Sequence, residues 1–374
     1  MGTVLHVIYS LGQGGAERTL TNICLKSKKH IHHIVCLTNK SFYSNLLEEN
    51  NIKIYELNMN KFYFLFIAPI KFYSILRKIK PEIVQTWMYH SDLFGGIIAR
   101  LAGIKIVLWN VRSSSFKLPE ITYSSLLVSR INALISWFIP TNVICCGKYA
   151  AQCHANQGYD PSKIKIIFNG VDTKLFAPNS ENRSLVRKKY KINRDTILLG
   201  MVARYTPLKD HRTLLKSLSL LNNLKQDWIC ILSGRGIDHD NYELLEMINS
   251  LNLSKKVLLI GTQININEIY NALDLHILSS TSEGFPNCLI EALSSGIPCI
   301  STNVGDAKYI LKDVGWVVNP SNPYQLAEVL KKFFNLTESE RKKISEFSRN
   351  RIKSKFSLAK LTEKYDDLYS EFLL

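Results

Sequence analysis

The chain has 374 residues, 46% of them hydrophobic and 21% charged, and a formal net charge of +16. That length exceeds what one hydrophobic core usually supports, so two globular domains are expected, and no apolar run reaches the roughly 18 residues of a membrane-spanning helix. The excess of positive charge favours polyanionic partners, whether nucleic acid, anionic lipid headgroups or phosphorylated substrates, without choosing among them.

The first residues, M-G-T-V-L-H-V-I-Y, run straight into a strand-like pattern with no basic leader or small-residue cleavage site, so the expected compartment is the cytoplasm. The eight cysteines sit mostly in apolar settings without a C-x-x-C pair, which predicts buried thiols rather than disulfides or a zinc site. Short β-branched runs begin at Val4, Ile34, Ile52, Ile83, Ile104, Asn142 and Ile164, separated by helix-length spacers. That alternation predicts a parallel sheet with crossover helices.

After the first run comes Y9-S-L-G-Q-G-G-A-E-R18. Its glycines do not match the dinucleotide fingerprint, but Gly14 and Gly15 permit close approach of an anion or sugar to backbone amides; the competing reading is a plain turn. The histidines of K28-K-H-I-H-H33 lack neighbouring acids or thiols in sequence and read as a solvated loop rather than a metal cluster. Residues 61–80 hold five cations, six aromatics and no acid. They suit either an anionic-membrane segment or an amphipathic helix buried in the first domain, with Pro69 interrupting the pattern. The fourth run ends in T86-W-M-Y-H-S-D92, which puts His90 near the sheet edge, where it could orient a sugar or acceptor hydroxyl. Arg112, after the fifth run, is a candidate phosphate contact.

Residues 178–190 are polar and basic and read as a linker with a short helix. A second series of runs then begins at Ile197, Trp228, Lys256, Asp274, Pro298 and Gly315, giving two α/β lobes joined near residue 172. At the end of its first strand stand Arg204 and Lys209, two cations able to neutralise a diphosphate. Gly234, in S233-G-R-G236, allows close backbone approach to a nucleotide. The stretch S282-E-G-F-P-N-C-L-I-E291 places Glu283 in a loop and Glu291 inside a helix expected over 286–295, with Gly296 past its end. Carboxylates hydrogen-bond well to vicinal hydroxyls, so a sugar at the loop and a ribose along the helix fit the pair; otherwise one complements the helix dipole and the other lies on the surface. Asp238-His-Asp240 reads as a solvated loop.

The segments E-G-F-P-N-C-L-I-E, A-R-Y-T-P-L-K-D, G-G-A-E-R-T and N-G-V-D, at these separations, resemble a family 4 retaining glycosyltransferase of the GT-B fold, over nearly the whole chain. The resemblance implies two Rossmann-like parallel-sheet domains facing a central cleft: residues 1–172 on the acceptor side, 173–350 on the donor side, and a C-terminal helix over 351–374 packing back on the first. It implies that Glu291 holds the nucleotide ribose, that Glu283 approaches the donor hexose, and that Arg204 and Lys209 stabilise the leaving diphosphate. Gly14 and Gly15 would lie under the donor and His90 would face the sugar, while Gly234, Gly284, Phe285 and Asn287 belong to the donor-binding segments. The implied activity transfers a hexose or N-acetylhexosamine from a nucleotide sugar, UDP by default, to a saccharide or polyprenyl-linked acceptor in surface polysaccharide synthesis. Configuration would be retained, with no metal or other cofactor, on the inner face of the membrane. The alternatives are a sugar-nucleotide epimerase of the same fold and a basic nucleic-acid-binding protein. Only charge supports the latter, so no nucleic-acid partner is expected.

Overall fold

The β-branched runs form thirteen strands among the residues described by the computed structural model, namely 1–59, 64–114, 116 and 121–373. They fall into two units, Met1–Gly170 with Leu358–Leu374, and Val171–Ser357. The expected boundaries were 172, from the sequence pattern, and 350, from the family resemblance; the structure divides the chain at Gly170/Val171 and again at Ser357/Leu358.

In the first unit the strands are β1 (Thr3–Ile8), β2 (Ile31–Cys36), β3 (Lys53–Glu56), β4 (Ile83–Trp87), β5 (Ile106–Val111), β6 (Asn142–Cys145) and β7 (Ile164–Ile166). Their order is β3-β2-β1-β4-β5-β6-β7, every pair parallel. The sheet is covered on both faces, as a parallel sheet must be to satisfy its crossovers. Val4 and Ile8 join a buried cluster with Leu20 and Ile23 of the helix Gly15–Lys26 and with Leu361, Tyr365 and Tyr369 of the helix Leu358–Glu371. On the opposite face Val7 and Thr86 lie under Gly95 of the helix Tyr89–Leu101. The last helix is also pinned by polar bonds: Ser27 Oγ donates to Asp366 Oδ1 at 2.5 Å, and the Tyr369 hydroxyl donates to Gln85 Oε1.

Two expectations change here. His32 and His33 lie within β2, and His30 and His32 are buried, so this stretch is not a solvated loop. Apolar neighbours decide the point: the ring of Tyr369 stands 5.5 Å from His30 and 6.1 Å from His32. Of residues 61–80, those from 61 to 63 lie outside the described residues; the remainder forms the helix Phe64–Ile79, with Pro69 inside it. That helix buries Ala68, Phe72 and Leu76 and exposes Ile67, Ile70 and Tyr73.

The second unit contains β8 (Ile197–Val202), β9 (Trp228–Ser233), β10 (Val257–Leu259), β11 (Leu275–Leu278), β12 (Cys299–Thr302) and β13 (Gly315–Val318). They form a parallel sheet in the order β10-β9-β8-β11-β12-β13. Its core gathers Leu199, Met201, Leu232, Ile277 and Ile300 with Leu214, Leu244 and Leu330 from the helices. The stretch read as a linker is part of this unit. The helix Ser180–Lys189 carries Arg187, whose guanidinium is buried against Asp274 Oδ2 at 2.6 Å, while Arg183 meets Asp274 Oδ1 at 2.7 Å. A buried guanidinium needs such a partner to offset its desolvation.

Candidate functional site

In each sheet the strand order reverses once, between β1 and β4 in the first unit and between β8 and β11 in the second. At such a switch point the connections leave in opposite directions, and the crevice beyond the strands' carboxyl ends is where open parallel sheets bind ligands. In the second unit the loop after β8 carries Arg204 and Lys209, and the loop after β11 carries Glu283.

These two loops are bonded together by their main chains. Thr281 N donates to Leu208 O at 2.8 Å, and Ser279 Oγ donates to the carbonyls of Lys209 and Asp210, each at 3.0 Å. Lys209 closes a 3-10 turn, and Asp210, in the left-handed region at φ 48°, caps the helix His211–Ser219 by accepting from Thr213 N. The register so fixed sets Lys209 Nζ 2.5 Å from Glu283 Oε1, which also accepts from Ser280 Oγ at 2.6 Å. Both side chains of the pair are largely covered, and Arg204 stands exposed at the end of β8.

The helix after Glu283 spans Asn287–Ser294 with Pro286 as its N-cap, so proline stands just outside the first turn where it was expected. Gly296, at φ 78°, follows the helix end. Asn287 opens the helix and offers the positive end of its dipole to the loop. Glu291 is buried rather than on the surface, and its Oε2 accepts from the Tyr270 hydroxyl at 3.3 Å. Burial, and then the neighbouring Glu291, hold that hydroxyl protonated, well above the usual tyrosine range. Phe285 is 7% exposed, its ring 5.7 Å from that of Phe356, so it anchors the loop to the core.

Gly234, at φ 149°, does provide a close approach, but to the protein's own chain: a Cβ there would lie 2.1 Å from Ala203 O. It packs the loop after β9 beneath the one carrying Arg204. Gly305, which the sequence pattern did not single out, does the same for Glu283. At φ 51°, an added Cβ would stand 2.3 Å from Gly284 O and 2.5 Å from Glu283 O, and Asp306 N donates to Gly284 O at 3.0 Å. Ser280 and Tyr270 were also missed. Ser280 lies in the S-S-T-S-E run beside Glu283, which marks it weakly, and nothing local marks Tyr270.

In the first unit Gly14 is the N-cap of Gly15–Lys26, so both glycines sit at the helix start just beyond β1. His90 lies in the first turn of Tyr89–Leu101, beyond β4, its ring 6.2 Å from that of Tyr9. The two rings line a cavity of about 510 Å³ with Leu93, Phe94 and Ile97, and burial lowers the His90 pKa. Arg112 is engaged internally: it donates to Asn110 Oδ1 and Thr19 Oγ1, each at 3.2 Å, and to Asn169 Oδ1. Its guanidinium also covers the Trp87 ring at 5.6 Å. These partners tie the ends of three chain segments together.

Among the described residues one trio of metal-competent side chains, His6, Cys24 and His32, brings its ligand atoms within 4.8 Å of one another. His6 Nε2 and His32 Nδ1 are hydrogen-bonded at 3.0 Å, and Trp87 Nε1 donates to His6 Nδ1 at 3.3 Å. Burial holds both rings neutral, and these bonds occupy the lone pairs a metal would need. Asp238 accepts from Asp240 N at 3.2 Å in a local turn on the surface.

Comparison with known proteins matches two family models in succession, Glycosyltransferase Family 4 over residues 13–175 and Glycosyl transferases group 1 over 182–351. The chain is a family 4 glycosyltransferase. A UDP-Gal:alpha-D-GlcNAc-diphosphoundecaprenol alpha-1,3-galactosyltransferase of Escherichia coli is 29% identical to the transferase over 315 residues, 82% of this chain and 79% of that protein. An N-acetylgalactosaminyltransferase of Campylobacter jejuni acting on a diacetylbacillosaminyl-diphospho-undecaprenol glycan is 25% identical over 308 residues, 79% of each chain. Among solved structures, HepE of Anabaena in complex with UDP superposes with a TM-score of 0.85 at 18% identity, covering 99% of this chain and 100% of that one. A glycosyltransferase of Rickettsia africae gives 0.84 at 23% identity, covering 100% and 98%. The likeness places the transferase in the GT-B fold class, two Rossmann-like parallel-sheet domains. No helix of the described residues is long and apolar enough to cross a membrane.

Proposed function

We propose that the transferase moves a hexose or N-acetylhexosamine from a UDP-linked donor to a saccharide or polyprenyl-diphosphate-linked acceptor, with retention of configuration and without a metal, at the cytoplasmic face of the cell membrane. The observation that carries the reading is the Lys209–Glu283 pair at the second unit's switch point, with the Asn287 helix start and the buried Glu291 behind it. Lys209 and the exposed Arg204 supply the positive charge that a departing diphosphate requires, the part a metal plays elsewhere. Glu291, oriented by Tyr270, accepts from the ribose hydroxyls. Glu283 stands where the hexose would meet it, its Oε1 fixed by Lys209 and Ser280, so it steadies positive charge at the anomeric carbon while the acceptor attacks from the face the diphosphate leaves. The departing phosphate oxygen takes the acceptor's proton, and no covalent sugar-enzyme intermediate forms. In the first unit, His90 and the amides around Gly14 and Gly15 take sugar hydroxyls. The relatives' named donor and diphosphoundecaprenol acceptors support the substrate classes.

A panel of nucleoside diphosphates and their sugars tested by thermal shift, then by transfer with and without EDTA, checks this. UDP and one UDP-sugar are expected to raise the melting temperature, with transfer unaffected by chelation and an axial anomeric product from an axial donor. Conversion of the donor without acceptor would instead identify an epimerase, and an inverted product would remove the retaining mechanism.

A further inference from the structure

The first unit's helix Tyr123–Ile135 is amphipathic in the reverse of the usual sense. Its buried residues are Ser129, Asn132 and Ala133, and Ser136 follows them. Asn132 Nδ2 donates to Tyr89 O at 2.8 Å, and the Ser129 and Ser136 hydroxyls bond back to the helix's own carbonyls. The large apolar side chains point outward: Tyr123, Leu127, Ile131 and Leu134, continued by Trp137 and Phe138 in the turn beyond, with Leu134 73% and Phe138 81% exposed. At about 100° per residue these positions fall within roughly 120° of arc. Small polar residues inside and large apolar ones outside are the pattern of a helix whose outer environment is not water.

The stretch of sequence that contains this helix is one-sided in charge. From Leu93 to Tyr159 the sequence holds six Lys and Arg residues and one acid, Glu120. Arg130 is exposed on the helix itself. At its far end Arg100 donates to Ile139 O at 2.6 Å and to Lys105 O at 2.5 Å, which ties the chain after Phe138 to the segment of the exposed Leu101 and Lys105. Lys163 Nζ donates to Trp137 O at 2.6 Å. An apolar strip with aromatic rings and a cationic rim complements an anionic bilayer surface. A second copy of the chain fits it poorly, because two such faces would bring like charges together.

We propose that this face docks the protein on an anionic phospholipid bilayer, with Leu134, Trp137 and Phe138 entering the headgroup boundary and Arg130 and Lys105 meeting lipid phosphates. The inference deepens the proposed function, on which it rests for its purpose: an acceptor with a polyprenyl tail is held in a membrane. The helix follows the connection that leaves the carboxyl end of β5, the sheet edge to which His90 also belongs, so docking here brings that edge to the lipid surface.

The test is cosedimentation with vesicles of phosphatidylcholine and phosphatidylglycerol, with phosphatidylcholine alone as the uncharged arm. The wild-type chain is expected to pellet with the charged vesicles. The double variant Trp137→Ser, Phe138→Ser should lose at least about tenfold in partitioning, and Arg130→Glu about fivefold or more on charged vesicles only. Both variants should keep the wild-type melting temperature and its UDP-induced rise, which separates loss of docking from loss of fold or of the donor site. Variants that pellet like the wild type overturn the proposal. So does sedimentation velocity showing a wild-type dimer that the double variant dissolves, since the face would then belong to a second copy. If UDP has no effect on any form while the vesicle results hold, the docking surface stands and the donor reading falls.

Discussion

Replacing Lys209 by Met keeps most of the side chain's length and removes its charge 2.5 Å from Glu283 Oε1. If the ammonium also holds the donor diphosphate, the variant loses a charge-assisted hydrogen bond worth about 1.5–3 kcal/mol. Taking about 2 kcal/mol, the dissociation constant for UDP rises about thirtyfold. At a UDP concentration about 100 times the wild-type constant, binding stabilises the native protein by about 2.7 kcal/mol; in the variant the same concentration is about three times the constant and contributes about 0.9. For a domain of this size the missing part is about 4–7 °C of ligand-induced melting shift. The shift must be read against each protein's own ligand-free melting temperature, because Met also leaves the Glu283 carboxylate without its cation. Glu283→Gln is the companion measurement. It preserves the shape of the loop, so the UDP shift should stay within about 1 °C while transfer falls about 100-fold or more. The reasoning is refuted if Lys209→Met keeps the full UDP-induced rise, or if Glu283→Gln loses that rise and still transfers sugar.

Gly305→Ala should destabilise the protein by about 1–3 kcal/mol and slow transfer, since the new methyl must push the Glu283–Gly284 carbonyls away. Gly261→Ala is the matched control, at φ 66° with nothing within 4 Å of its Cβ position; equal melting temperatures and equal turnover for the two variants would show the Glu283 loop does not depend on Gly305. Stability should also fall in mild acid. Burial lowers the pKa of His32, His154 and His211 to about 4 and that of His276 to about 3. The unfolded chain, with histidines near 6.5, therefore binds more protons as the pH drops. Their contribution is complete above pH about 6.5 and disappears as pH falls toward the folded values, at up to about 1.4 kcal/mol per pH unit for each ring. Urea midpoints should be level from pH 7 to 8 and decline from 6.5 to 5; a level profile down to 5 would contradict it.

The strand series was legible because strands covered on both faces must be continuous apolar runs, and each run begun at Val4, Ile34 or Ile197 needs no distant partner to be recognised. Arg204, Lys209 and Glu283 were legible for a related reason: each directly follows such a run. What stayed hidden depends on pairings remote in sequence. Polar Ser180–Lys189 looked like a linker because Arg187 is buried only by virtue of Asp274. Tyr270 is ordinary until Glu291 faces it, and Gly305 until the Glu283 loop lies on it. Arg112 shows the same dependence: its position after β5 marked it, but the convergence of Asn110, Asn169 and Thr19 on its guanidinium appears only in the fold.

The helix Leu358–Glu371, which completes the core of the first unit, reaches it only after the chain has passed through the whole of the second. During synthesis the β1 and β2 side chains that later meet Leu361, Tyr365 and Tyr369 must wait uncovered while Val171–Ser357 emerges and folds as one uninterrupted piece. A ribosome that stalls or terminates late therefore leaves an N-terminal sheet bare on part of one face and attached to a finished neighbour, a species for chaperones to hold or proteases to clear.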